Sequence, residues 1–186
     1  MQVPTRDDAY ALLTEFNRSD RLIKHALAVE AVMRHMAAKL GHDVEFWGIV
    51  GLIHDLDYEQ FPDQHCHKAK ELLEAAGWPE AYVRAVVSHG WSICTDVEPQ
   101  TDLEKTLFAV DELTGLVTAC ALVRPSKSVM DVKVKSVKKK WKQKSFADGA
   151  NREIIQKGID RLGVERGELI EDVILGMREV AAEIGL

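Results

Sequence analysis

Cysteine is scarce in this chain: three in 186 residues, Cys66, Cys94 and Cys120, an odd number with no CxxC spacing. That argues against a disulfide-stapled scaffold and fits a reducing, cytoplasmic setting. Long apolar runs are missing as well. Although 46% of the residues are hydrophobic, no run approaches the about 18 to 20 residues of a membrane span, so no membrane partner is expected. The opening Met1-Gln2-Val3-Pro4-Thr5-Arg6-Asp7-Asp8 lacks the basic, then apolar order of a secretory leader. No internal repeat or low-complexity stretch occurs. Strand signals are almost absent, with only 129–134 hinting at an extended piece.

What is there reads as helix. Thr5 with Asp8 caps a first helix to about Phe16, and Ser19 or Asp20 opens a second that Gly41 ends. Further helices are predicted over 43–55, 64–76 with Asp63 as its cap, 80–89 and 102–122, the last stopped by Pro125. A short basic helix near 133–143 follows, then 150–162 and 165–184. The expectation is an all-α, single-domain helical bundle spanning 1–186, large enough for one core.

Two His-Asp dipeptides stand in this frame. His42-Asp43 follows Lys39-Leu40-Gly41, so it links two helices, with Asp43 as the N-cap of the second. His54-Asp55 instead ends the uncharged run 46–53, and it points inward, with Gly48 and Gly51 leaving room beside it. His25 lies on a stripe with Leu22, Ala28, Val29 and Val32, His89 with Tyr82, Ala85 and Val86, and Asp111 with Leu107, Phe108, Thr114 and Gly115. Desolvating so many polar groups costs several kcal/mol each unless something pairs with them, and a metal ion is the economical partner. On the helix expected over 64–76, His65 faces the apolar side and His67 the polar side. His35 sits roughly 80° off the face of His25 and reads as solvated.

The order His25, His54-Asp55, Asp111 resembles the HD superfamily of metal-dependent phosphohydrolases, as do the phrases Leu22-Ile23-Lys24-His25-Ala26-Leu27-Ala28-Val29, Gly51-Leu52-Ile53-His54-Asp55 and Asp111-Glu112-Leu113-Thr114-Gly115. The resemblance covers about 20–123, the HD core, and leaves a basic segment and C-terminal helices over 124–186. There the phrases 124–128 and 145–149 are similar to a bacterial subgroup. One departure stands out: many members carry a lysine three residues after the doublet's aspartate, and here that position is Tyr58. The resemblance implies a divalent ion at His25, His54, Asp55 and Asp111. Nitrogen and oxygen ligands suit Mn, Fe, Co, Ni or Zn. His65 and His89 are candidates for a second ion, with Asp55 bridging. It further implies a phosphomonoesterase or phosphodiesterase that cleaves a small phosphate ester, a nucleotide among the options, with metal-activated water.

Acid and base candidates are Asp57, expected near the mouth of the site, then Glu59 and Glu112, the last rotated about 100° from Asp111 and read as a surface residue. Net charge is −6, yet from Arg124 to Lys144 nine basic residues accompany one acidic, a local +8 that leaves −14 elsewhere. Arg124, Lys127 and Arg152 are the candidates to bring positive charge to a phosphorylated substrate. Aromatic interleaving there is thin, Trp141 and Phe146 only, so nucleic acid is not the expected partner. Two alternatives remain beside the hydrolase: an HD-type di-iron oxygenase, which six ligands would serve, and a non-catalytic nucleotide or nucleic-acid binding protein.

Overall fold

The computed structural model describes residues 3–143 and 145–186, so Met1, Gln2 and the last lysine of the basic block lie outside it. Among the described residues there are ten α-helices and no strand, only an isolated bridge between Trp91 and Thr95. The helices are α1 Arg6–Phe16, α2 Asp20–Leu40, α3 Val44–Ile53, α4 His67–Ala75, α5 Glu80–Ser88, α6 Asp102–Leu122, α7 Val134–Trp141, α8 Arg152–Leu162, α9 Arg166–Glu179 and α10 Ala181–Ile184. None is long and apolar enough to cross a membrane.

Local chemistry sets most of these ends. The Thr5 and Thr101 hydroxyls accept from the backbone of Asp8 and Glu104, whose carboxylates return the bond, giving two capping boxes. Asp43 accepts from Phe46 N–H at 3.0 Å and starts α3. Gly41 and Gly163 close α2 and α8 in the left-handed region that an L side chain avoids. The long helices α2 and α6 form the centre of the bundle, and α3, α8 and α9 pack around them.

Two expectations fail locally. The stretch 129–134 is not extended: Val129–Asp131 is a 3-10 turn, with Val129 and Val132 buried in the core. The helix expected from 64 begins only at His67, after a 3-10 turn at Pro62–Gln64, and Asp63 does not cap it. Its third amide, Ala69 N–H, donates instead to Asp57 at 2.8 Å, a cap supplied from twelve residues away. Gly48 and Gly51 also serve a different purpose from the one expected. A Cβ on Gly51 would lie 2.9 Å from Met33 and 3.0 Å from the Val29 carbonyl, so these glycines admit α2 against α3.

Candidate metal centre

Six side chains converge where α2, α3, α5 and α6 meet. His25 comes from the second turn of α2, His54 and Asp55 from the end of α3, His89 from the end of α5 and Asp111 from the middle of α6. His65 comes from the irregular turn before α4. Asp55 lies between two groups of nitrogen ligands. Its Oδ2 is 3.9 Å from His25 Nε2 and 3.4 Å from His54 Nε2. Its Oδ1 is 3.4 Å from His65 Nε2 and 3.5 Å from His89 Nε2. Asp111 Oδ1 completes the first group, 2.9 Å from His25 Nε2 and 3.3 Å from His54 Nε2. All but the longer His25–Asp55 separation suit neighbouring ligands of one ion, which at bond lengths of about 2.0 to 2.2 Å lie roughly 2.8 to 3.6 Å apart.

The hydrogen bonding behind these atoms leaves the Nε2 lone pairs free. His54 Nδ1 donates to the Gly51 carbonyl at 2.8 Å and His89 Nδ1 to the Val86 carbonyl at 2.5 Å. His65 Nδ1 meets Asp57 Oδ1 at 2.7 Å. With Nδ1–H anchored, each Nε2 faces inward, open to a metal ion or, without one, to a proton, the arrangement of a metal-ligating imidazole. His54 Nε2 is buried and has no hydrogen-bond partner, and His65 and His89 bring their Nε2 atoms within 3.1 Å. An orphaned buried acceptor and two opposed lone pairs are costly in a packed interior, and a cation between them relieves both. The donor set therefore fits a divalent metal.

The electrostatics agree. Burial opposes a charge on His54, but Asp55 and Asp111 outweigh it and hold its pKa well above the usual imidazole range. Burial likewise opposes ionisation of Asp55 and Asp111. His54 overcomes it and keeps both carboxyls well below their usual range, helped by His89 at Asp55 and by His25 at Asp111. The pocket thus attracts positive charge.

A cavity of about 690 Å³ opens onto this centre. It holds His25, Asp55, His65, His89 and Asp111 in its lining, whereas His54 sits fully buried behind them. Several expectations about its other residues do not hold. Asp57 is not at the mouth: it is fully buried, holding His65 and the start of α4. Glu59 accepts from the backbone of Arg18 and Ser19 just before α2. Glu112, expected on the surface, lines the cavity, accepts from Asn151 N–H, and is pushed up to about 7 by burial and by Asp111.

Arg124, Lys127 and Arg152 do not line the cavity. Arg124 donates to the Asp131 carbonyl, and Arg152 to the carbonyls of Phe146, Ala147 and Ala150. Arg152 therefore shapes the loop that forms part of the cavity wall. Lys127 is exposed in a turn. The cations that do line the cavity are Arg21 and Lys24, on the first turns of α2, with Lys24 paired to Asp20 at 2.8 Å. Sequence reasoning passed over them, although Lys24 adjoins His25 and Arg21 lies one turn before it. Tyr58 lines the cavity and sets its ring edge-on to His65, 5.1 Å between centroids.

His67 is exposed and donates to the Cys94 carbonyl at 2.9 Å. His35 is not solvated but half-buried beside Asp172 and Glu179, 3.3 and 3.5 Å away. Cys66 Sγ, fully buried, lies close enough to His65 and His89 to count as a ligand. Its thiol is pushed up by hydrogen bonding to Cys94 and by burial, which makes it a poorer donor than the two imidazoles.

None of the curated proteins matches the chain. A comparison with protein families matches residues 22–116, just over half of the chain, to the HD domain. That span begins three residues before His25 and ends five after Asp111, so it contains all six converging side chains, and the chain belongs to the HD superfamily of metal-dependent phosphohydrolases.

Proposed function

We propose that the protein is a two-metal phosphohydrolase acting on a small phosphate ester, with nucleotides among the esters that fit. The observation that carries this is Asp55, whose two carboxylate oxygens address separate ligand groups, His25, His54 and Asp111 on one side and His65 and His89 on the other. Divalent ions held there supply a nucleophilic water near neutral pH and polarise a phosphoryl oxygen.

The chain's own residues do the rest. The Gly51 and Val86 carbonyls and Asp57 lock three imidazoles with Nε2 facing inward. Arg21 and Lys24 draw an anionic substrate into the cavity and take the place of the lysine that many members carry where this chain has Tyr58. Among Asp57, Glu59 and Glu112, only Glu112 lines the cavity, so the proton of the leaving oxygen falls to it by position.

The test is metal content by plasma mass spectrometry on protein assayed for phosphate release from esters and nucleotides with Mn²⁺, Co²⁺ or Ni²⁺. Two ions per chain and phosphate release that a chelator abolishes are expected. A metal-loaded protein that releases phosphate from none of them would refute the hydrolase. Six ligands with four imidazoles also suit a pair of irons, so bound iron with a visible absorption band and no phosphate release would establish the oxygenase instead.

A further inference from the structure

Helix α6 forms one wall of the cavity through Asp111, Gly115, Thr118 and Leu122. The spacing of four, three and four residues puts them on one face, and at about 1.5 Å per residue the stripe runs roughly 16 Å from the metal ligand to the helix end. Along it polarity falls from a carboxylate through a bare backbone and a threonine to a leucine. Leu122 and Ile93, which also lines the cavity, are large hydrophobics left 51% and 56% exposed. The cations of the cavity, Arg21 and Lys24, lie on α2 instead.

Gly115 is the anomaly. A glycine inside a helix costs about 1 kcal/mol relative to alanine, so it needs a reason. Close packing is the reason at Gly158, where a Cβ would lie 2.5 Å from the Ala109 Cα. At Gly115 a Cβ would meet nothing within 4 Å, and its φ is not in the left-handed region. Neither packing nor backbone geometry asks for glycine there, and the space it leaves open is the cavity itself, one turn from Asp111.

We propose that the substrate's organic group is bulky and weakly polar, that it lies along this stripe of α6, and that Gly115 is the specificity-determining residue that admits it. This rests on the phosphate-ester reading of the site. It assigns the charged end of the substrate to the metal ligands, Arg21 and Lys24, and the apolar end to Gly115, Thr118, Leu122 and Ile93. A cavity of this volume is within the usual range for an organic ligand of about 300 to 1,000 Å³.

The test compares two unreactive probes, methylphosphonate and 1-naphthylmethylphosphonate, binding to the full Mn²⁺-loaded chain by calorimetry. Wild type should bind the naphthyl probe about tenfold or more tightly than the methyl probe, the yield of burying one apolar ring system. Gly115→Leu should remove most of that preference and leave the methyl probe within about twofold, because the place of the new Cβ is open and the methyl probe has no group that reaches it. Gly115→Ala should give a smaller loss of about threefold, and it carries the comparison if the leucine variant does not fold. Equal binding of the two probes by wild type, no binding of either, or a preference unchanged in both variants would overturn the proposal. Preference lost in the variants from a wild type that hydrolyses no ester would refute the hydrolase and leave this inference standing.

Discussion

Both ends of α3 carry the dipeptide His-Asp, and the two ends share almost nothing else. Before the helix, His42 and Asp43 are exposed. Asp43 caps Phe46 N–H, and His42 stacks on Trp47 at 4.9 Å and faces Asp102. After the helix, His54 is fully buried with an orphaned Nε2, and Asp55 sits between five other metal-type ligands. The first pair keeps its water; in the second His54 has lost it and Asp55 keeps only an edge on the cavity, a cost that a cation compensates. Chemistry in this protein follows from burial and converging neighbours, not from the dipeptide.

The sharpest way to break the comparison is to remove the two aspartates in turn. Asp55→Ala should cost at least about a thousandfold in phosphate release, since a metal centre supplies several kcal/mol and about 1.4 kcal/mol is a factor of ten. Plasma mass spectrometry should then find both ions gone; retained metal would refute the bridging position. Asp57→Asn tests the support of one half only. Losing the carboxylate behind His65 should weaken the second ion about 10- to 100-fold and leave the first, seen as a drop from two ions to one in a metal titration.

Glu112 makes a pH test. In metal-free protein its carboxyl is pushed up to about 7, mainly by burial, against an ordinary value of 4.5. Below that ordinary value it is neutral folded and unfolded, and it adds nothing. As pH rises from there through about 7, the unfolded chain ionises first, so this group increasingly destabilises the fold. Glu112→Gln should therefore stabilise the metal-free protein at pH 8 by on the order of 1 kcal/mol, discounted for its partial exposure, and have little effect at pH 4. Equal denaturation midpoints at pH 8 would show that the residue is solvated.

At the other end of α3, Asp43→Ala should lower stability by about 1 kcal/mol through the lost cap and leave metal content and turnover unchanged. His67→Ala should do least, within about 0.5 kcal/mol in a denaturant titration and with both ions retained. A loss of metal in Asp43→Ala would mean that the two ends of α3 are not independent, and one in His67→Ala that the exposed side of α4 supports the centre.

Much of the fold was legible because its signals are local. The sparsely charged run of α6 with Pro125 beyond it pointed to 102–122, and the first helix was as clear from Thr5 with Asp8; the capping box at Thr101 that starts α6 is seen in the structure. The turn around His65 was not legible, because what holds it is distant. Cys66 takes φ 66°, a conformation that its residue type does not advertise, and the cap of α4 comes from Asp57. The same distance effect misled the reading of charge. Arg124, in the basic stretch, and Arg152, beyond it, look like substrate ligands, but their donors go to carbonyls of their own neighbourhood. Arg21 and Lys24, outside any basic block at the start of α2, form the basic side of the cavity.

By itself the sequence determined that the protein is helical, where most helices begin and end, and which histidines and aspartates have apolar neighbours, since propensity, capping and amphipathic spacing act within a turn or two of chain. The tertiary structure alone decided that Asp55 lies between two ligand groups, that Asp57 braces His65, that Glu112 rather than Asp57 lines the cavity, and that Gly115 opens onto it. Those facts depend on residues up to 86 positions apart meeting at one point, as His25 meets Asp111, and packing of helices, not local pattern, sets that meeting.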